Sequence, residues 1–190
     1  MFEHNELILE MVELGQEVNP ACPFVSCITD EWGQLLVTAV SSKHISPLYT
    51  SEQLALHLLA RNYSCKPNQP LTLYSTAEIT PAGVEALIHM NLYAGIQITR
   101  HVYGASREDV SRLWSPCSSI TCTDMYEAFR GERPVIEFIG GVEKDACDAM
   151  FEEAGILFRD GTGPVLSSDL EEFCSIEDWM LESCYEDVCE

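Results

Sequence analysis

The chain has 190 residues, 46% of them apolar and 22% charged, which is the profile of one ordinary globular domain able to bury its own core. Ten basic residues against 31 acidic ones leave a formal charge of −21. That field repels phosphate backbones and anionic lipid surfaces, so neither nucleic acid nor a membrane is expected as a partner.

The N-terminal residues 1–6 (Met1-Phe2-Glu3-His4-Asn5-Glu6) lack the basic and apolar stretches of a secretory signal, and no apolar run approaches the roughly 20 residues of a membrane span. Leu7, Met11, Leu14 and Val18 then recur at helical spacing with Glu6, Glu10, Glu13 and Glu17 on the other side, so an amphipathic helix is expected up to Asn19-Pro20. Residues 23–29 and 34–40 read as two strands of a hairpin, with Asp30-Glu31-Trp32-Gly33 as turn residues. A helix is expected over 51–61, started by Thr50 with Gln53 three residues on and burying Leu54, Ala55, Leu58 and Leu59. Residues 71–76 read as a third strand, after which Thr80 caps and Pro81 opens a helix to about Leu92. A strand over 94–103, short helices over 107–113 and 123–129, a fifth strand over 134–139 and a helix over 142–154 follow.

From Asp160 to Glu190 there are ten carboxylates and no Lys or Arg, interleaved with Leu170, Phe173, Ile176, Trp179 and Met180. Residues 161–190 are therefore set apart from a folded domain over 1–160, as an acidic tail that is either solvated or docked on another subunit or a partner. Nine cysteines, an odd count, suit free thiols in a reducing compartment, and a cytoplasmic protein is expected. The order of elements predicts an α/β fold, a three-layer α/β/α sandwich on a mixed five-stranded sheet.

Two stretches stand out. Ser46-Pro47-Leu48-Tyr49-Thr50-Ser51-Glu52 and Leu73-Tyr74-Ser75-Thr76-Ala77-Glu78-Ile79-Thr80-Pro81-Ala82-Gly83 each lead an extended or loop segment into the start of an apolar-faced helix. In order and spacing they resemble the paired zinc motifs of the cytidine deaminase-like superfamily, H-x-E followed by P-C-x-x-C. Pro23-Phe24 at the first strand, Gly33 before the second, and the helix around Glu143-Lys144-Asp145-Ala146-Cys147 extend the resemblance over residues 5 to about 158, nearest the guanine deaminase branch. The resemblance implies the sandwich fold, a homodimer whose C-terminal segments exchange, and a zinc site for deamination. Carried over by position, the His ligand falls on Thr50, the two Cys ligands on Thr80 and Gly83, and the base-holding Asn on Ser42. The proton-shuttling Glu survives as Glu52, and Phe24 and Glu78 complete the vestigial pocket.

Catalytic zinc needs about three protein donors from Cys, His or carboxylate. Glycine has none, and threonine hydroxyls are poor ligands for a borderline-soft cation. A helix cap contributes on the order of 1 kcal/mol against roughly 10–16 for a structural zinc, so Thr50 and Thr80 can start helices but cannot replace an ion. Zinc is therefore expected to be absent, no residue is assigned a catalytic role, and the chain reads as a deaminase-fold pseudoenzyme. Its function would be to bind a partner protein or a small nucleobase-like ligand. The alternative is an active nucleobase or nucleoside deaminase, or related hydrolase, with relocated metal ligands or a metal-free mechanism around Glu52.

Glu52 itself reads either as a first-turn acid facing its helix dipole or as a remnant pocket acid. Helix starts at Thr50 and Thr80 converging on one point would make a weak anion or nucleobase site. Cys22/Cys27, Cys117/Cys122 and Cys184/Cys189 share one spacing, but no His spacing accompanies them, and buried Cys is often just a small apolar residue. A Cys nucleophile would need His44, His57, His89 or His101 beside it in space. His57 and His89 lie next to the apolar stripes of their helices and are expected in the core or at a dimer edge. Gly140-Gly141 and Gly161-Thr162-Gly163 match no phosphate-binding loop.

Overall fold

The computed structural model describes residues 4–43, 46, 48–62, 69–160 and 174–176. Strands β1 (Val25–Thr29) and β2 (Leu35–Val40) are buried along almost their whole length, as strands covered on both faces must be. The turn between them is held by Asp30, whose Oδ1 accepts the N–H groups of Trp32 (2.9 Å) and Gln34 (2.8 Å), while Gly33 takes φ +83°. β1 also pairs antiparallel with β3 (Pro70–Ala77), which runs parallel to β4 (Gln97–Ala105), itself parallel to β5 (Glu137–Ile139).

The five expected strands are thus present in one mixed sheet, and a sixth joins them. β6 (Cys174–Ile176) pairs antiparallel with β2, giving the order β5-β4-β3-β1-β2-β6. Three residues of the segment read as an acidic tail therefore belong to the sheet edge. The rest of 161–190 lies outside the described residues.

Helices cover both faces. α1 (His4–Val18) and α6 (Lys144–Arg159) pack on one side with α4 (Arg107–Leu113) against α6, around Ile8, Met11, Val25, Val102, Met150 and Phe151. α2 (Ser51–Asn62), α3 (Pro81–Tyr93) and α5 (Cys122–Ala128) pack on the other, around Leu54, Leu59, Leu73, Leu87, Ile88 and Ile98. Each such side chain contributes about 1.5–3 kcal/mol when fully buried.

Some boundaries differ from the sequence reading. β4 starts at Gln97 because Ala94 ends α3 and Gly95 turns the chain at φ +70°. In α2, Leu56 is buried and Leu58 only partly so. His57 and His89 are exposed, lining an open groove between α2 and α3 with Tyr93, and are not packed in the core. No helix among the described residues is long and apolar enough to cross a membrane.

Candidate functional site

α2 and α3 begin beyond the same end of the central strands, and their first turns meet. Thr80 caps α3 in an extended conformation, its Oγ1 accepting the N–H of Gly83 (3.0 Å), with Pro81 at the first helical position. The same hydroxyl donates to Oε1 of Glu52 at 2.6 Å, and the Thr80 N–H donates to that oxygen at 3.3 Å. Glu52, in the first turn of α2, is only 5% exposed. On its other side Ser26 Oγ donates to Ser51 Oγ (2.9 Å), and Ser51 reaches Glu52 Oε2 at 3.5 Å. The carboxylate thus sits at the positive end of α3, where a negative charge is favoured.

Gly83 is required by this closeness. A Cβ there would lie 2.5 Å from Ile79 Cγ1, 2.7 Å from Glu52 Cγ and 3.0 Å from Glu52 Oε1.

Glu78 has a different task. Its Oε2 accepts the N–H of Arg107 (3.0 Å) and its Oε1 the N–H of Cys122 (2.6 Å), the first residues of α4 and α5. One buried carboxylate therefore satisfies orphan donors at two helix starts.

A cavity of about 70 Å³ opens beside Glu52, with room for roughly two water molecules. Phe24, Thr50, Glu52, Glu78 and Thr80 line it, so five of the seven expected pocket residues come together there. Ser42 does not, since its hydroxyl turns back to the carbonyl of Val40 (3.1 Å); Ser41 and Lys43 face the cavity instead. Gly83 lies behind Glu52, off the cavity surface.

Lys43, Arg107 and Trp114 also line it, and sequence reasoning missed all three. Trp114 packs edge-on to Phe24 at 4.8 Å and is fixed by its indole N–H to the carbonyl of Ala21 (2.8 Å). Lys43 Nζ lies 5.3 Å from the centre of the Phe24 ring and 5.8 Å from that of Trp114, an exposed cation over two aromatic rings.

The donors at the positions matching zinc ligands do not fit a zinc ion. Thr80 Oγ1 donates to Glu52 and accepts the Gly83 N–H, which leaves one lone pair of a neutral hydroxyl, a poor donor for a borderline-soft cation. Thr50 Oγ1 is engaged with Gln53, donating to its Oε1 (3.1 Å) and accepting from its N–H (3.4 Å). Gly83 has neither a donor side chain nor room for one. Among the described residues, no group of three or more His, Cys, Asp or Glu is placed to hold a metal.

Three of the described thiols are held protonated by burial. Burial raises the pKa of Cys22 and Cys122 and pushes that of Cys147 up to about 12. His101 is fully buried with its pKa lowered to about 3 by burial, its Nε2 2.8 Å from Ser75 Oγ. Ser75 spends its proton on the carbonyl of Ala77 (2.5 Å), so Nε2 carries the ring hydrogen and Nδ1 is left without a partner. This buried pair lines none of the described cavities and serves packing. His44 lies outside the described residues.

The backbone is similar to that of a variant of the protein NE0047 in complex with 8-azaguanine, with TM-score 0.60 and 21% identity over 80% of this chain and 82% of that one. A guanine deaminase from Nitrosomonas europaea gives 0.55 and 18% over 80% and 83%. A transfer-RNA deaminase described for A-to-I editing at the wobble position gives 0.51 and 14% over 76% and 96%. This is the cytidine deaminase-like fold. Neither a family model nor a curated protein matches the sequence. In the deaminase-like frame, the cavity beside Glu52 lies between the two segments that resemble the zinc motifs.

Proposed function

We propose that this chain is a pseudoenzyme on the deaminase-like fold, a cytoplasmic homodimer that binds a small nucleobase-like molecule in the cavity beside Glu52 without deaminating it. The observation that carries the reading is the chemistry at the three positions that resemble ligand sites. Thr50 and Thr80 offer neutral hydroxyls already hydrogen-bonded to Gln53, Glu52 and Gly83, and Gly83 offers no side chain, so they supply no metal donors to acidify a water beside Glu52.

What remains suits binding. Phe24 and Trp114 give apolar walls for a planar ring, and Glu52 Oε2, met only by the 3.5 Å contact from Ser51, keeps capacity to accept an N–H from a heterocycle edge. NE0047, a protein of similar fold, is found in complex with 8-azaguanine and with 2,6-diaminopurine, which supports a planar nitrogen heterocycle as the ligand class.

Calorimetric titration of the full-length protein with nucleobases and nucleosides, run beside an ammonia-release assay with added zinc, tests this reading. Saturable binding without ammonia is expected, with weaker binding in Glu52→Gln. Zinc-dependent ammonia release, or no binding by any of these compounds, contradicts it. Light scattering reads the homodimer directly.

A further inference from the structure

Arg107 opens α4 with only 8% of its surface exposed. An arginine is seldom so deeply buried unless a carboxylate meets it. Its Nε donates to the carbonyl of Ser118 at 3.1 Å, and among the described residues no Asp or Glu lies within ion-pair distance of the guanidinium. Glu78 contacts Arg107 only through the backbone N–H. The two Nη groups have no acceptor among the described residues, yet neither is sealed from open space. The side chain forms part of the wall of the Glu52 cavity and of an adjoining groove that includes Ser111, Ser118 and Thr121.

The charges around this cavity are unevenly matched. Glu78 gives both oxygens to the N–H groups at the starts of α4 and α5, and Glu52 gives one to the start of α3. Both acids are thereby compensated by helix ends. Among the described residues Arg107 meets no carboxylate side chain, and Lys43 at the same cavity lies over the faces of two aromatic rings.

We infer that the ligand of this cavity is an acidic one: a planar heterocycle carrying an oxyanion, carboxylate or phosphate, seated on the Nη groups of Arg107 with Lys43 over it. This rests on the reading of the cavity as a nucleobase-type site and names the chemical class it selects. With a net charge of −21, the protein repels anions at long range, so an anion that binds must be held by short contacts of this kind.

The test is calorimetry on the full-length protein with matched probes: uracil against orotate, uridine and guanosine against their monophosphates, and inorganic phosphate alone. The acidic member of a pair is expected to bind about tenfold or more tightly than its neutral parent, the contribution of a charge-assisted contact. Arg107→Gln should bring the ratio of acid to parent affinity close to one, and Arg107→Lys should restore part of it. Lys43→Gln, at an exposed position that does not endanger folding, should cut the gain several-fold.

A gain shown only by the monophosphates identifies the oxyanion as phosphate, and one shown only by orotate identifies it as carboxylate. Inorganic phosphate binding that is lost in Arg107→Gln supports the seat by itself. Neutral parents that bind as tightly as the acids overturn the inference while leaving the nucleobase reading intact. A gain unchanged in both Lys43→Gln and Arg107→Gln also overturns it, and no binding by any probe removes both.

Discussion

Replacing Glu78 by Gln removes a charge without changing shape, and its cost can be worked from two hydrogen bonds. The carboxylate accepts Arg107 N–H at 3.0 Å and Cys122 N–H at 2.6 Å, 5% exposed to solvent. Glutamine keeps one acceptor oxygen and must turn its NH₂ toward the other N–H. One charge-assisted bond is lost, about 1.5–3 kcal/mol, and a buried donor is left facing another donor, about 1–3 kcal/mol more. The expected loss is therefore about 2.5–6 kcal/mol, a large part of the 5–15 kcal/mol typical of a domain. Urea unfolding followed by circular dichroism reads it as a lower midpoint with an unchanged slope. If Glu78→Gln stays within about 1 kcal/mol of the parent protein, Glu78 is not the joint that fixes the starts of α4 and α5.

Two further outcomes follow from the same geometry. Gly83→Ala places a Cβ against Ile79 and Glu52 at 2.5–2.7 Å, so about 1–3 kcal/mol of stability should be lost in urea unfolding, with ligand affinity falling as Glu52 is displaced. His101 has a folded pKa of about 3, below its ordinary value of about 6.5, so as pH falls the unfolded chain takes up that proton first. Its contribution is complete above about pH 6.5 and is lost as pH falls from there toward 3, at up to about 1.4 kcal/mol per pH unit. His101→Phe, which can keep the stacking on Tyr103, should lack that part of the slope in unfolding curves taken from pH 7 to 4.

The helices were legible because their apolar residues recur at a period of 3.6, the strands because short apolar and β-branched runs are bounded by turn residues, and the cap at Thr80-Pro81 because its chemistry is local. β6 was not legible, since three residues in an acidic stretch carry no period to read. The cavity was half legible. Phe24, Thr50, Glu52, Glu78 and Thr80 followed from the order of the motifs, whereas Ser42 gave way to its neighbours Ser41 and Lys43. Arg107 and Trp114 reach the cavity from either end of α4, brought there by tertiary packing that no spacing in the sequence encodes. The exposure of His57 and His89 has the same origin, because a residue beside an apolar stripe can fall on either side of the burial line.

The central claim concerns the metal, and elemental analysis of full-length protein purified without chelators tests it most directly. The hydroxyls of Thr50 and Thr80 are committed to Gln53, Glu52 and Gly83, so zinc well below one equivalent per chain is the expected result. Near-stoichiometric zinc that is lost in Glu52→Gln or Thr80→Ala would place an ion beside Glu52 and contradict the account.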